Sequence, residues 1–123
     1  MKITEIAFVC YPVTDLKRAR KFYEGTLGLT ESRFFGNDEM GMVEYDIGPH
    51  TLAIGKGAEQ FKPSAGGGAV ALEVDDFDEA VKRVRDGGYV FVSEPWDTPV
   101  CNAAVISDPD GNTVLIHRRK PAA

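Results

Sequence analysis

Apolar and polar residues change their period along this chain in a way that separates strands from helices. From Ile6 to Val13 the residues are mostly β-branched, aromatic or otherwise apolar, and the run stops at Thr14-Asp15, a pair suited to capping a helix. From Asp15 onward Leu16, Ala19, Phe22, Tyr23 and Leu27 recur at helical spacing, with Lys17, Arg18, Arg20 and Lys21 opposite them and Gly28 closing the run. The pattern predicts a strand and then an amphipathic helix. Three short runs follow, Glu31 to Phe35, Met42 to Ile47 and Thr51 to Ile54, punctuated by the turn residues Gly36-Asn37-Asp38 and Gly48-Pro49-His50. These read as three strands, the last two forming a hairpin with His50 at its tip.

A glycine-rich stretch, 56–68, divides the chain nearly in half, and the second half repeats the grammar of the first. Ala69 to Val74 reads as a strand. Asp76 and Glu79 form a capping box, Phe77, Ala80, Val81 and Val84 mark a helix face, and Gly87-Gly88 end it. Strands are predicted at Tyr89 to Val92, Ala103 to Ser107 and Thr113 to His117, the last after the turn Asp108-Pro109-Asp110-Gly111. Val13-Thr14-Asp15-Leu16 aligns with Val74-Asp75-Asp76-Phe77 at an offset of 61 (15 against 76), and Thr51-Leu52-Ala53-Ile54 with Thr113-Val114-Leu115-Ile116 at 62 (51 against 113). Each half is therefore βαβββ. The expected organisation is one α+β domain over 1–123, with module 1 at about 3–55, a linker at 56–68 and module 2 at about 69–118.

One helix shields only one face of a sheet, so the uncovered faces of the two modules are expected to pair their sheets into an open cup. Strand parity names the lining, because successive side chains point to opposite faces. Val70, Leu72 and Val74 belong under a helix, which turns Ala69, Ala71 and Glu73 toward the cup. Val114 and Ile116 likewise turn Thr113, Leu115 and His117 inward, and Leu52 and Ile54 turn Thr51 and Ala53 inward. In the first strand both faces are apolar, and the repeat decides the matter: Phe8 is equivalent to Ala69, so Phe8 and Cys10 face the cup.

Composition narrows the functional classes. The 123 residues carry 14 Lys+Arg against 19 Asp+Glu, a net charge of −5 that opposes contact with a polyanion. Neither nucleic acid nor a membrane is an expected partner: the basic run His117 to Lys120 is terminal, and no apolar stretch approaches the ~20 residues of a membrane helix. The first residues lack the pattern of a secretory signal, so the expected location is cytoplasmic. Cys10 and Cys101 are too few for a disulfide framework and lack CxxC spacing; they are expected to be buried small hydrophobes, with no base nearby in sequence to activate a thiol. Tyr45, Trp96, Phe34, Phe35 and Phe61 are candidate aromatic walls, Trp96 in a loop-like stretch bounded by prolines. No Ser-His-Asp order, phosphate loop or HxxxH pattern occurs.

The paired βαβββ halves, Asp15-Leu16 with Phe22-Tyr23 and Leu27-Gly28-Leu29, the run Ala71-Leu72-Glu73-Val74-Asp75-Asp76 and the Asp108-Pro109-Asp110-Gly111-Asn112 turn together resemble the vicinal oxygen chelate superfamily, from about Ile6 to His117. That group includes glyoxalase I, extradiol dioxygenases, methylmalonyl-CoA epimerase and the fosfomycin- and bleomycin-resistance proteins. The resemblance implies a divalent ion held by His, Gln or Glu at four positions, which fall here on Phe8, Ala53, Ala69 and Leu115, all apolar. It thus implies a member without the usual metal site: no cofactor, a small organic ligand in the cup, and a homodimer. Glu73 and the acidic balance favour a cationic or amine-bearing ligand, with Cys10, Thr51, Ala71, Trp96, Thr113 and His117 also at the site. Two alternatives stand beside this. One is a lactoylglutathione lyase-like, isomerase or dioxygenase enzyme with a relocated site, in which Glu73, as a catalytic base of raised pKa, or His117 acts, with Glu44 as a further donor. The other is a non-catalytic interaction or regulatory domain.

Overall fold

The computed structural model describes residues 1–59 and 61–121. It divides into two compact units, Met1–Pro63 and Ser64–Ala123. In the first unit the order is β1 (Val9–Pro12), α1 (Leu16–Arg20) continued by a π-helical segment (Lys21–Thr26), β2 (Glu31–Gly36), β3 (Gly41–Ile47) and β4 (His50–Lys56). The second contains β5 (Val70–Glu73), α2 (Phe77–Asp86), β6 (Phe91–Asp97), β7 (Cys101–Ser107) and β8 (Thr113–Arg119). Each unit is βαβββ, as the repeat predicts, and the chain is an α+β fold of two four-stranded mixed sheets. Among the described residues no helix is long and apolar enough to cross a membrane.

The two sheets have equivalent orders, β1-β4-β3-β2 and β5-β8-β7-β6. In each, the first strand pairs parallel with the last, Cys10 beside Ala53 and Glu73 beside His117, and the remaining pairs are antiparallel. A parallel neighbour needs a crossover, which the helix and the intervening strands supply. Asp15 starts α1 by accepting from the Arg18 backbone N–H at 3.0 Å, and Asp76 starts α2 by accepting from Glu79 N–H at 3.1 Å. Asp78 and Glu79 in the first turn of α2 and Arg83 and Arg85 in the last suit the helix dipole. The π-helical segment fits one extra residue into a turn, with Leu27 N–H donating to the Phe22 carbonyl. That places Phe22 and Tyr23 side by side in the core, 4.9 Å apart edge to face. Tyr23 also stacks on Tyr11 and Tyr45, at 6.4 and 6.3 Å.

In the second unit the core lies between α2 and one sheet face, with Val84, Ala104, Ile106, Val114 and Ile116 buried. The Asp108 to Asn112 turn closes by side chains rather than backbone alone. Asp108 Oδ1 accepts from the N–H groups of Asp110 and Asn112, and its Oδ2 accepts from Asn112 Nδ2 at 2.8 Å. Asn112 Oδ1 in turn accepts from Ser64 N–H at 3.1 Å, which anchors the end of the linker.

Several boundaries differ from the expectation. β1 and β5 are shorter, so Phe8 and Ala69 precede their strands, whereas β7 and β8 extend to Cys101 and Arg119. β6 is displaced most. The predicted strand at 89–92 gives way to Phe91–Asp97, which passes through Pro95 and Trp96. Pro95 is tolerated because β6 is an edge strand and its register with β7 slips between Ser93 and Trp96, the irregularity at which a missing N–H costs least.

The packing predicts that Ile106→Ala, which removes a fully buried side chain from the second core, lowers unfolding free energy by about 2–5 kcal/mol. Asp76→Ala, which removes only the cap of α2, should cost about 1 kcal/mol. Urea denaturation of the two variants checks the order.

Candidate functional site

The helix-covered face of each sheet is core, and the candidate residues lie on the other. On the first sheet Cys10, Ala53 and Glu44 are partners across β1, β4 and β3, with Thr51 and Asp46 forming the adjoining pair. Phe8 and Cys10 are exposed and Thr51 is half-buried, but Ala53 is fully buried and offers no lining surface. A charge cluster occupies this face. Arg33 donates from Nε to Glu44 at 2.5 Å and through its terminal nitrogens to Asp46 at 2.5 and 3.1 Å, and Thr51 Oγ1 donates to Asp46 at 2.9 Å. Asp46 and Glu44 push the guanidinium pKa up, and Arg33 and then Thr51 hold the Asp46 carboxyl below its ordinary value. Glu44 does share the face of Ala53, but it is committed to Arg33 rather than standing free as a donor.

Two expectations about this unit need correction. Cys10 is an exposed residue rather than a buried one, because β1 turns it away from the helix; even so, partial desolvation and then Glu44 raise its thiol pKa, which disfavours a reactive thiolate. Cys101 is half-buried. Tyr45 is not an aromatic wall. It is fully buried, and its hydroxyl donates to Glu24 at 2.9 Å; desolvation and then Glu24 drive its pKa upward. Phe34 lies beneath the Arg20 guanidinium at 5.6 Å, while Phe35 and Phe61 are exposed.

On the second sheet four strands align a row of side chains: Glu73 on β5, His117 on β8, Ala103 on β7 and Trp96 on β6. The slip in β6 is what brings Trp96 onto this row, so it stands on a strand and not in the loop expected for it. Ala71 and Leu115 form the adjoining pair, the first exposed and the second half-buried. Ala69 is exposed just before β5, and Thr113 turns its hydroxyl to the Ala65 carbonyl at 3.2 Å.

Glu73 and His117, 44 positions apart in sequence, are joined by a 2.6 Å hydrogen bond between Oε1 and Nδ1. The other carboxylate oxygen, Oε2, accepts from the Arg119 backbone N–H, also at 2.6 Å. The Arg119 N–H and then His117 hold the Glu73 carboxyl below its ordinary value. A base with a raised pKa was the expectation here; hydrogen-bond donors at both oxygens reverse the sign. Sequence reasoning missed Arg119 because it ended the strand at His117; continuing the alternation by two residues places Arg119 on the same face.

The four positions to which the family pattern assigns metal donors hold a phenyl group, two methyl groups and an isobutyl group, none able to coordinate. Among the described residues no three or more His, Cys, Asp or Glu side chains are grouped so as to hold an ion. These residues do not fit the divalent ion that the fold family implies.

Comparison with known proteins agrees with the fold. A model of the Glyoxalase/Bleomycin resistance protein/Dioxygenase superfamily matches residues 5–116. Lactoylglutathione lyase of Salmonella typhimurium is 31% identical over 122 residues, spanning 89% of each chain, and that of Escherichia coli O157:H7 is 30% identical over the same length. Among solved structures, TnmS3, an antibiotic binding protein from Streptomyces sp. CB03234, superposes with a TM-score of 0.80 at 24% identity, covering 98% of this chain and 99% of its own. The fosfomycin resistance protein FosX from Mesorhizobium loti gives 0.71 at 21% identity, over 95% and 93%. With its paired βαβββ units and a family match over most of its length, the chain belongs to the Glyoxalase/Bleomycin resistance protein/Dioxygenase superfamily.

Proposed function

We propose that this protein is a metal-free binder of a small organic molecule, which it holds against the sheet faces left bare by the helices. The observation that carries the reading is the chemistry at Phe8, Ala53, Ala69 and Leu115: side chains without donors stand where a metal-dependent relative needs them. Recognition groups remain on the faces, namely the Glu73–His117 pair and Trp96 on the second sheet. An apolar surface with a few placed polar groups is the usual makeup of a small-molecule site. TnmS3, of the same fold, is described as an antibiotic binding protein, which supports a binding role. The proposal includes a cytoplasmic homodimer with no nucleic-acid or membrane partner.

The sequence identity to lactoylglutathione lyases favours an enzyme as the second reading. It requires a working base, and Glu73, with its pKa lowered and both oxygens engaged, is a weak one at neutral pH.

Two measurements test these readings. Chelator-free protein dialysed against Zn, Ni, Mn and Fe(II) and then against buffer should retain well under about one metal per chain by elemental analysis. A planar aromatic ligand in excess should still raise the melting temperature of that protein and change the emission of Trp96, the single tryptophan. Stoichiometric metal would give precedence to the enzyme.

The Glu73 environment predicts a pH dependence. Its folded pKa lies below the ordinary value of 4.5, so its contribution to stability is complete above that value and is lost as pH falls through the lower folded value. The urea midpoint of the natural protein should therefore exceed that of Glu73→Gln at pH 7, and the gap should narrow as pH falls below 4.5.

A further inference from the structure

The geometry points to Glu73 and His117 as a tautomer-setting pair whose outward imidazole nitrogen, Nε2, accepts a hydrogen bond from the hydroxyl of a planar phenol-like or enol-like ligand lying along Trp96. This deepens the binding role proposed above and rests on it.

An ionised carboxylate has no proton to give, so the 2.6 Å contact between Glu73 Oε1 and His117 Nδ1 places the proton of the neutral imidazole on Nδ1. Nε2 then carries the lone pair. Glu73 is fixed in turn by the Arg119 N–H on Oε2, so the carboxylate cannot swing away to expose the other tautomer without breaking that bond. Among the described residues Glu73 is the hydrogen-bond partner of the His117 side chain, and that side chain keeps a quarter of its surface exposed. Nε2 is not among the buried, partnerless side-chain atoms of the described residues, so this acceptor keeps contact with solvent, beside the half-buried Leu115 and the buried Ala103.

The register supplies the second element. His117 and Trp96 flank β7, so about two strand spacings of 4.8 Å separate their backbones, and the residue between them, Ala103, contributes only a methyl group. Trp96 is 38% exposed. That separation leaves room for an aromatic ring between the indole and the imidazole, from which a ring hydroxyl can donate to Nε2. The charge on this face selects against the cationic ligand expected from sequence. Both Glu73 oxygens are already engaged, and Arg119, on the same face of β8, adds a positive charge beside them.

The test uses 2-naphthol and 2-methoxynaphthalene, which match in their aromatic rings but differ in the donor. At pH 8 the natural full-length protein should bind 2-naphthol about tenfold more tightly than its methyl ether, read by Trp96 emission and by shift of the melting temperature. His117→Phe should bind the two equally, and Glu73→Gln, which keeps the imidazole but loosens its tautomer, should reduce the preference to about threefold or less. Nitrogen-15 shifts of His117 at the same pH should show the proton on Nδ1 in the natural protein and a mixture in Glu73→Gln. Binding of both naphthalenes without preference, or a proton found on Nε2, overturns this inference while leaving the binding role intact. Failure of both to bind overturns the binding role and this inference with it.

Discussion

The constraint on which each unit depends is that a single helix covers only one face of a four-stranded sheet. Parallel pairing of the first strand with the last puts the strand that feeds the helix at the edge and the strand that closes the unit beside it. Side chains then sort by parity. Val114 and Ile116 are buried against the helix side while Thr113, Leu115 and His117 stand on the other face, and the same rule separates Leu72 from Ala71 and Glu73. The makeup of the face away from the helix is thus set by a few odd or even positions on each strand.

The positions to which the family pattern assigns metal donors are also apolar here. A phenylalanine, two alanines and a leucine offer no donors there, and on the first sheet the Glu44 and Asp46 carboxylates are both held by Arg33, which leaves the cluster one negative charge. On the second sheet the carboxylate is tied to a backbone N–H and an imidazole. A carboxylate satisfied at both oxygens orients a neighbour well and moves protons poorly, which is why Glu73 reads as a positioning group for His117.

Much of this was legible in the residues. The repeat, the two caps at Asp15 and Asp76, the linker and the parity of Ala71, Glu73, Leu115 and His117 all follow from period and turn chemistry, which are local. What escaped was non-local. The slip between Ser93 and Trp96 depends on pairing with β7, and Pro95 argued for a loop until the edge position of β6 was known. The burial of Tyr45 depends on Tyr23 and Glu24 from the π-helical segment, that of Ala53 on its neighbours in β1 and β3, and the pairing of Glu44 on Arg33 from β2. The sign of the Glu73 shift depends on Arg119 N–H, a donor that lies 46 positions away and is invisible in composition.

The two units share a topology and have diverged in the face they leave bare. In the first, that face carries an arginine bonded to two carboxylates, one of which also accepts from a threonine, a cluster whose cost of desolvation opposes an apolar ligand. In the second, the bare face carries at other registers an imidazole with one ring nitrogen committed, small residues beside it, and an indole brought into line by a strand irregularity; the positions equivalent to Glu73 and His117 in the first unit are the paired Pro12 and Gly55. Duplication supplies two nearly equivalent sheets, but only one of them combines an oriented acceptor with an aromatic surface. The acceptor and the aromatic surface on which the proposed recognition rests therefore lie together on the second unit, while the first offers an ion-paired cluster in their place.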